Sequence, residues 1–478
     1  MTAKPLQSAS LPLLIVVLLL GFARYGTGVA ALPVAGTASP HAPAQTRPPN
    51  VLIIVADDMG YADIGVHGSP DIPTPHIDSL AAGGIRFTNA YVTGPYCSPT
   101  RAGLLTGRYP QRFGHEFNLG TGPLNSENGM PVTERTMADR LKAVGYRTAL
   151  FGKWHLGSAE RFHPMSRGFD EFFGFLGGAH SYLDPMINGP DPLLDGRNPI
   201  RETPYLTDAL ADRAVEFIGR NKSNPFLLYL AFNAVHTPMH ATDKYLARFS
   251  HIADVQRRTY AAMLSAMDDG IGKTIAALRA ANLEENTLIF FFSDNGGPTM
   301  EGTTINGSRN TPLRGSKRTT WEGGVRVPFI IRWEGHLPQG KTDARPIIQL
   351  DVLPTALKAA GVTPQPDWQL DGVDLMPFLS GSAAGSPHVA LYWRLGDNMA
   401  IRIGDWKLVK AHEGPLGGDP SVLSDLSGAE LFNLADDIGE SRNLAAAQPQ
   451  RVRELAEAWQ KWNRQLARPL WRGGRGGG

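Results

Sequence analysis

Four short apolar runs decide what this chain can fold into. Residues 50–56, Asn50-Val51-Leu52-Ile53-Ile54-Val55-Ala56, form a continuous run rich in β-branched side chains. That is the pattern of a strand buried on both faces. Residues 146–151, 226–232 and 287–292 read as further strands. Between the runs the apolar spacing turns helical, over 74–81, 133–141, 207–221 and about 253–281. Gly83-Gly84 and Gly145 stop the first two of these, and Thr207 is placed to cap the third. Residues 85–93 and 325–332 add two more expected strands. Strands alternating with helices predict an α/β fold, a mostly parallel doubly wound sheet flanked by helices.

In such sheets ligands bind beyond the carboxyl ends of the strands. Four runs end there in residues able to do chemistry: Asp57-Asp58, Lys153-Trp154-His155, Asn233 with His236, and Asp294-Asn295. Each pair alone is equally well a solvated turn. Together Asp57, Asp58, Asp294 and Asn295 make an all-oxygen set, suited to a hard cation, Ca2+ or Mg2+, rather than zinc. Arg101, Lys153, His155, His236 and Lys317 would ring that cation with positive charge and proton donors. A tetrahedral oxyanion ester needs such a surround, so a sulfate or phosphate ester is the expected substrate class. The alternative is separate surface ion pairs and structural core histidines.

Cys97 is the one cysteine in 478 residues. Pro99 favours the first helical position, which predicts Cys97 just ahead of a helix N-terminus. The free N–H groups there would acidify its thiol. An inert, packed cysteine is the other reading.

The ends and the charge set further bounds. Lys4, an apolar run over 11–22 and small residues at 29–31 have the layout of a secretory signal peptide spanning 1–31, with a retained anchor as the alternative. A flexible lead-in over 32–49 is expected to follow. The chain is therefore expected to be exported, periplasmic or secreted, without stable membrane insertion after signal removal, and a single cysteine allows no internal disulfide. Lys and Arg number 46 against 45 Asp and Glu, a net charge of +1, which argues against nucleic acid as a partner. After a catalytic domain over 50–345, the texture changes near Pro346. A helix over 351–360, short strands at 389–393, 399–402 and 406–409 with a Gly404-Asp405 hairpin, and a helix over 450–466 predict a smaller C-terminal α+β subdomain over 346–470. Residues 471–478 read as a disordered tail.

Two motifs carry a family resemblance. Cys97-Ser98-Pro99-Thr100-Arg101, continued by Ala102-Gly103-Leu104-Leu105-Thr106-Gly107-Arg108, resembles the first signature of the type I, formylglycine-dependent sulfatases. Gly145-Tyr146-Arg147-Thr148-Ala149-Leu150-Phe151-Gly152-Lys153-Trp154-His155 is similar to their second. The resemblance implies the alkaline-phosphatase-like fold and oxidation of Cys97 to formylglycine by a formylglycine-generating enzyme. It makes Asp57, Asp58, Asp294 and Asn295 calcium ligands, with modified Cys97 completing the shell. In the family the hydrated aldehyde attacks sulfur, the alcohol leaves, and loss of sulfate restores the aldehyde. Arg101 would hold the formylglycine, and Lys153 and Lys317 would bind sulfate. His155 would assist proton removal, and His236 with Lys317 would protonate the departing oxygen.

His180 or Ser181, in Gly177-Gly178-Ala179-His180-Ser181-Tyr182, falls where the family often places another sulfate contact. His115, Asn118, His240 and Arg314 lie beside the motifs as candidates for the leaving-group pocket, with ordinary loop roles as the alternative. The sequence around His115 resembles bacterial sulfatases of sulfated carbohydrates. Two readings compete: a phosphodiesterase or phosphonate monoester hydrolase of the same fold, and a non-catalytic protein that binds sulfated glycan.

Overall fold

The structure is a computed structural model describing residues 47–120, 127–184, 191–201, 203–414, 416 and 426–471. The expected signal segment, most of the lead-in and the tail from 472 lie outside the described residues. In chain order the first half holds β1 (Asn50–Ala56), α1 (Pro75–Ala82), β2 (Ile85–Phe87), β3 (Ala90–Tyr91), α2 (Cys97–Thr106), α3 (Met137–Lys142), β4 (Arg147–Lys153), β5 (Glu171–Phe175), β6 (Leu194–Asp195), β7 (Asn198–Pro199), α4 (Leu206–Arg220) and β8 (Phe226–Ala231). The second half holds α5 (Asp243–Leu246), α6 (Val255–Ala280), β9 (Thr287–Ser293), α7 (Glu322–Val325), β10 (Phe329–Arg332), β11 (Lys341–Asp343), β12 (Ile347–Ile348), α8 (Val352–Ala359), α9 (Met376–Leu379), β13 (Leu391–Leu395), β14 (Asn398–Ile403), β15 (Trp406–Lys410), β16 (Glu430–Asn433) and α10 (Pro449–Asn463).

Ten strands form the main sheet, in the order β11-β2-β10-β9-β1-β8-β4-β5-β6-β7. Its centre, β9-β1-β8-β4-β5, is wholly parallel. The edges are mixed, because β10 runs antiparallel to β9 and β6 antiparallel to β5. The continuous apolar character of β1 follows from burial on both faces. Leu52, Ile54 and Ala56 pack with Leu210 of α4 and Leu264, Met267 and Ile271 of α6. Val51, Ile53 and Val55 pack in the opposite layer with Leu105 of α2, Leu141 of α3 and Leu353 of α8.

Several local expectations are corrected. Residues 85–93 split, β2 joining the main sheet and β3 pairing with β12 in a separate two-stranded sheet. The expected strand over 325–332 begins as the short helix α7 and becomes a strand only at Phe329. Thr207 does not cap α4, which begins one residue earlier after Tyr205 and buries Thr207 in its first turn. The third helix starts at Met137, where Thr136 and Asp139 satisfy each other's backbone N–H groups in a capping box. Val144 therefore lies past its end and is 48% exposed.

A four-stranded antiparallel sheet, β13-β14-β15-β16, closes the C-terminal part, with Gly404 at φ +58 in the β14–β15 turn. Leu455 and Trp459 of α10 share its apolar cluster. That cluster also takes in Tyr91 and Val325, and Trp393 Nε1 donates to Val92 O at 2.7 Å, so the small sheet packs behind the segment that leads into α2. Lys407 of β15 is fully buried between Glu322 of α7 (2.8 Å) and Glu440 (2.9 Å). Among the described residues no helix is long and apolar enough to cross a membrane.

Gly152 stands at φ +117 in the middle of the sheet, opposite Ala231 of β8. A Cβ there would lie 1.8 Å from the Ala231 carbonyl oxygen. Gly152→Ala is therefore expected to destabilise the fold by about 3 kcal/mol or more, combining overpacking with backbone strain. Urea unfolding checks this, and an unchanged midpoint contradicts it.

Candidate active site

The carboxyl ends of β1, β4, β8 and β9 lie together because all four strands are parallel and in register. Helix α2 brings its first turn to the same edge. Cys97 is its first helical residue, after extended Tyr96, so the helix starts two residues before Pro99. Arg101 follows four residues later, on the same helical face.

Cys97 Sγ lies 3.5 Å from Asp57 Oδ1. The other oxygen of Asp57 accepts from Lys153 Nζ at 2.6 Å. Arg101 grips Asp294 Oδ2 through Nε (3.0 Å) and NH2 (2.8 Å), and its other arm donates to Lys153 O and to the Tyr229 hydroxyl. Asp58 N–H donates to Asp294 Oδ1 at 3.2 Å. Asp58 itself collects Asn295 Nδ2 (2.7 Å), Lys317 Nζ (2.8 Å) and Thr304 Oγ1 (3.2 Å). His236 Nε2 stands 3.5 Å from Asp58 Oδ2, while His236 Nδ1 lies 2.6 Å from Thr237 O. A carbonyl only accepts, so Nδ1 carries the proton and Nε2 its lone pair.

All of these groups are buried, which makes their charges strongly interdependent. Burial pushes the Asp58 carboxyl up, but Lys317, His236 and Lys153 together hold it well below the usual range. Burial, and next to it Asp57, raise Asp294 to about 6 against the pull of Arg101. Burial acts most strongly on Lys317 and lowers it, but Asp58, Cys97 and Asp57 together more than offset that, and it stays protonated. Burial drives His236 down to about 3, against Asp58, and holds His155 well below its ordinary value, with Lys153 and Arg101 adding to the effect. The expected acidification of Cys97 is overturned. Burial raises its thiol strongly, Asp294 and Asp57 add to that, and Lys153 and Lys317 do not compensate.

The residues fit a divalent metal. Ligand atoms of Asp57, Asp58, Cys97 and His236 lie within 4.8 Å of one another. Asn295 Oδ1 is buried with no hydrogen-bond partner beside them, a bare acceptor that a cation would satisfy. His236, assigned from sequence to proton transfer, thus also stands within reach of the metal ligands.

Other candidates fall differently. Arg314 pairs with Glu430 (3.0 Å) and donates to Glu440 O, committed to the C-terminal sheet. His115 and Asn118 are buried against Ser98 of the first turn of α2. Ser181 Oγ lies 3.4 Å from His240 Nδ1, and His180 Nδ1 lies 2.7 Å from Ser181 O. Their segment reaches the site through Gly178, where a Cβ would lie 2.8 Å from both Cε1 and Nε2 of His155. Sequence reasoning missed Tyr229, whose hydroxyl touches Arg101 from within an apolar run. It also missed Thr304 and Asn306, whose Nδ2 donates to Asp58 O at 3.1 Å from a loop with no periodic signal.

The family model for sulfatases matches residues 49–362. The chain belongs to the sulfatase family. It is 36% identical over 386 residues to the N-acetylgalactosamine-6-sulfatase of Sus scrofa, covering 76% of this chain and 71% of that protein. Human arylsulfatase A is 34% identical, with 87% of each chain covered. The crystal structure of Ps i-CgsB superposes with a TM-score of 0.81 at 38% identity, over 89% of this chain and 95% of that one. The protein is a sulfatase, a hydrolase of sulfate esters, with the alkaline-phosphatase-like fold and a small antiparallel sheet. The phosphonate monoester hydrolase of Agrobacterium radiobacter is similar at 19% identity and TM-score 0.62, a likeness of fold alone. The reading as a non-catalytic binding protein is set aside.

Asp294→Ala removes one carboxylate of the set and the partner of Arg101. It is expected to cut tightly bound divalent metal about tenfold or more, read by elemental analysis of the dialysed protein. Undiminished metal content would refute the ligand assignment.

Proposed function

We propose that this sulfatase releases inorganic sulfate from a sulfated carbohydrate, with Ca2+ in the Asp57, Asp58, Asp294 and Asn295 site and Cys97 converted to formylglycine. The observation that carries the reading is the convergence of Lys153, Lys317 and His236 on the buried carboxylates around the Cys97 sulfur. The saccharide part draws on Ps i-CgsB, whose complex with k-i-k-neocarrahexaose is similar to this chain at 37% identity.

The cation, when bound, would neutralise charge on sulfate oxygens, as a Lewis acid does at a transferring oxyanion. Modified Cys97 would supply a hydrated aldehyde oxygen as the nucleophile, which the deeply protonated thiol cannot replace. Lys153 and Lys317 neutralise the ester's remaining charge and orient it. Arg101, on the face of α2 that carries Cys97, fixes the modified side chain and holds Asp294. His155, kept neutral by burial, takes up a proton on its imidazole. Lys317, held protonated by the anions around it, delivers a proton to the departing oxygen, and His236, whose Nε2 lone pair faces Asp58, shares that acid role only after taking up a proton at Nε2. His180 and Ser181 are assigned to the outer wall of the sulfate site.

Cys97 is wholly inaccessible in the fold, so the generating enzyme must reach it before the chain folds. That order suits an exported protein whose segment 1–31 is a signal peptide. We assign residues 50–345 to catalysis and 346–470 to the supporting subdomain.

Mass spectrometry of the Cys97 peptide from a host that modifies other sulfatases should give an aldehyde; a quantitatively unmodified thiol would overturn the formylglycine reading. A panel of defined sulfated saccharides scored for sulfate release identifies the substrate. His236→Ala should slow saccharide sulfates, with poor leaving groups, about tenfold more than aryl sulfates. Equal slowing would remove the acid role from His236.

A further inference from the structure

A buried pair backs His155: Ser98 touches it, and His115 touches Ser98. Ser98, the residue after Cys97, places its Oγ 2.6 Å from the main-chain oxygen of His155 and 2.6 Å from Nε2 of His115. A carbonyl oxygen can only accept, so the Ser98 proton points at His155 and His115 must donate from Nε2. The chain of donors therefore runs in one direction, from His115 to Ser98 to His155. Ser98 is fixed at its other end as well, because its N–H donates to Asn118 Oδ1 at 2.9 Å. His115 is held in turn. Its N–H donates to Pro110 O, and its ring meets the edge of Trp471, whose Nε1 donates to Phe117 O and Asn118 O.

The recipient is unusual. His155 stands at φ +58, a left-handed conformation that non-glycine residues adopt only where their surroundings impose it. Both of its backbone groups are committed: N–H to Leu176 O at 3.1 Å, and the carbonyl to Ser98. Its ring lies against the bare Cα of Gly178. Ser98 is one residue from Cys97 in the first turn of α2, so the same hydroxyl that holds the His155 backbone also sets its distance from the nucleophile position.

We propose that Ser98 and His115 are positioning residues that hold His155 in its left-handed backbone and aim its imidazole at the group formed from Cys97. The inference rests on the reading of His155 as the proton acceptor. Ser98→Ala and His115→Phe remove the two donors while keeping bulk; Ser98→Thr and His115→Gln keep a donor in reach.

The test measures kcat and KM for an aryl sulfate, normalised to the formylglycine content of each preparation by mass spectrometry. Ser98→Ala and His115→Phe should each lower kcat about tenfold with KM within about twofold, as a misplaced but intact base would. The Thr and Gln variants should recover most of it. In a His155→Ala background the Ser98→Ala loss should vanish, because the group it positions is gone. A Ser98→Ala loss of equal size in both backgrounds would overturn the proposal, as would a loss explained wholly by lower formylglycine content or a wild-type kcat in both donor deletions. If His155→Ala itself retains wild-type kcat, the acceptor reading fails first, and the positioning inference fails with it.

Discussion

The rest of the site depends on one compensation: three carboxylates buried at the edge of a parallel sheet, opposed by three buried cations. Asp57, Asp58 and Asp294 could not stay ionised without water unless opposite charge came within hydrogen-bond reach. Lys153, Lys317 and Arg101 supply it, each from a different element and each at 2.6 to 2.8 Å from its partner. A metal joining this set would compete for the same oxygens and release the lysines toward an incoming anion. Affinity for the cation and for an incoming anion would then be coupled through the shared carboxylates.

The sheet serves that compensation. Parallel strands all end on one side, and covering both faces leaves their ends as the place where polar side chains can gather. Burial then does chemical work. It keeps His155 neutral and able to take a proton, while Lys317 stays charged because Asp58 and the anionic groups around it together outweigh the cost of its burial. It also keeps the unmodified thiol protonated, so helix geometry that would activate a cysteine elsewhere leaves this one inert.

Much of this was legible in the chain itself, for identifiable reasons. Strand ends are legible because an unbroken apolar run such as 51–56 can only stop where the sheet meets solvent or a ligand. The cationic and acidic residues after such runs then fall into one place by topology alone. What escaped was whatever depends on tertiary surroundings. Tyr229 reads as core because its ring is core, and only the fold brings its hydroxyl to Arg101. Thr304 and Asn306 sit in an aperiodic loop whose path follows from Asp58 rather than from local propensity. The strand edges failed similarly: 85–93 has uniform strand character, but β2 and β3 pair with different partners. The direction of the Cys97 shift was misjudged because a sequence displays the helix start and hides the desolvation.

The buried Lys407 gives the small C-terminal sheet a meaning beyond covering a core. Its ammonium is shared by Glu440 and by Glu322, which lies five residues after Lys317 on the same segment. Removing one partner of such a buried pair costs about 3–5 kcal/mol. The C-terminal sheet therefore supplies a counter-ion to the segment that carries Lys317. A chain cut before β15 would leave Glu322 with Tyr91 and Arg326 but without its ammonium.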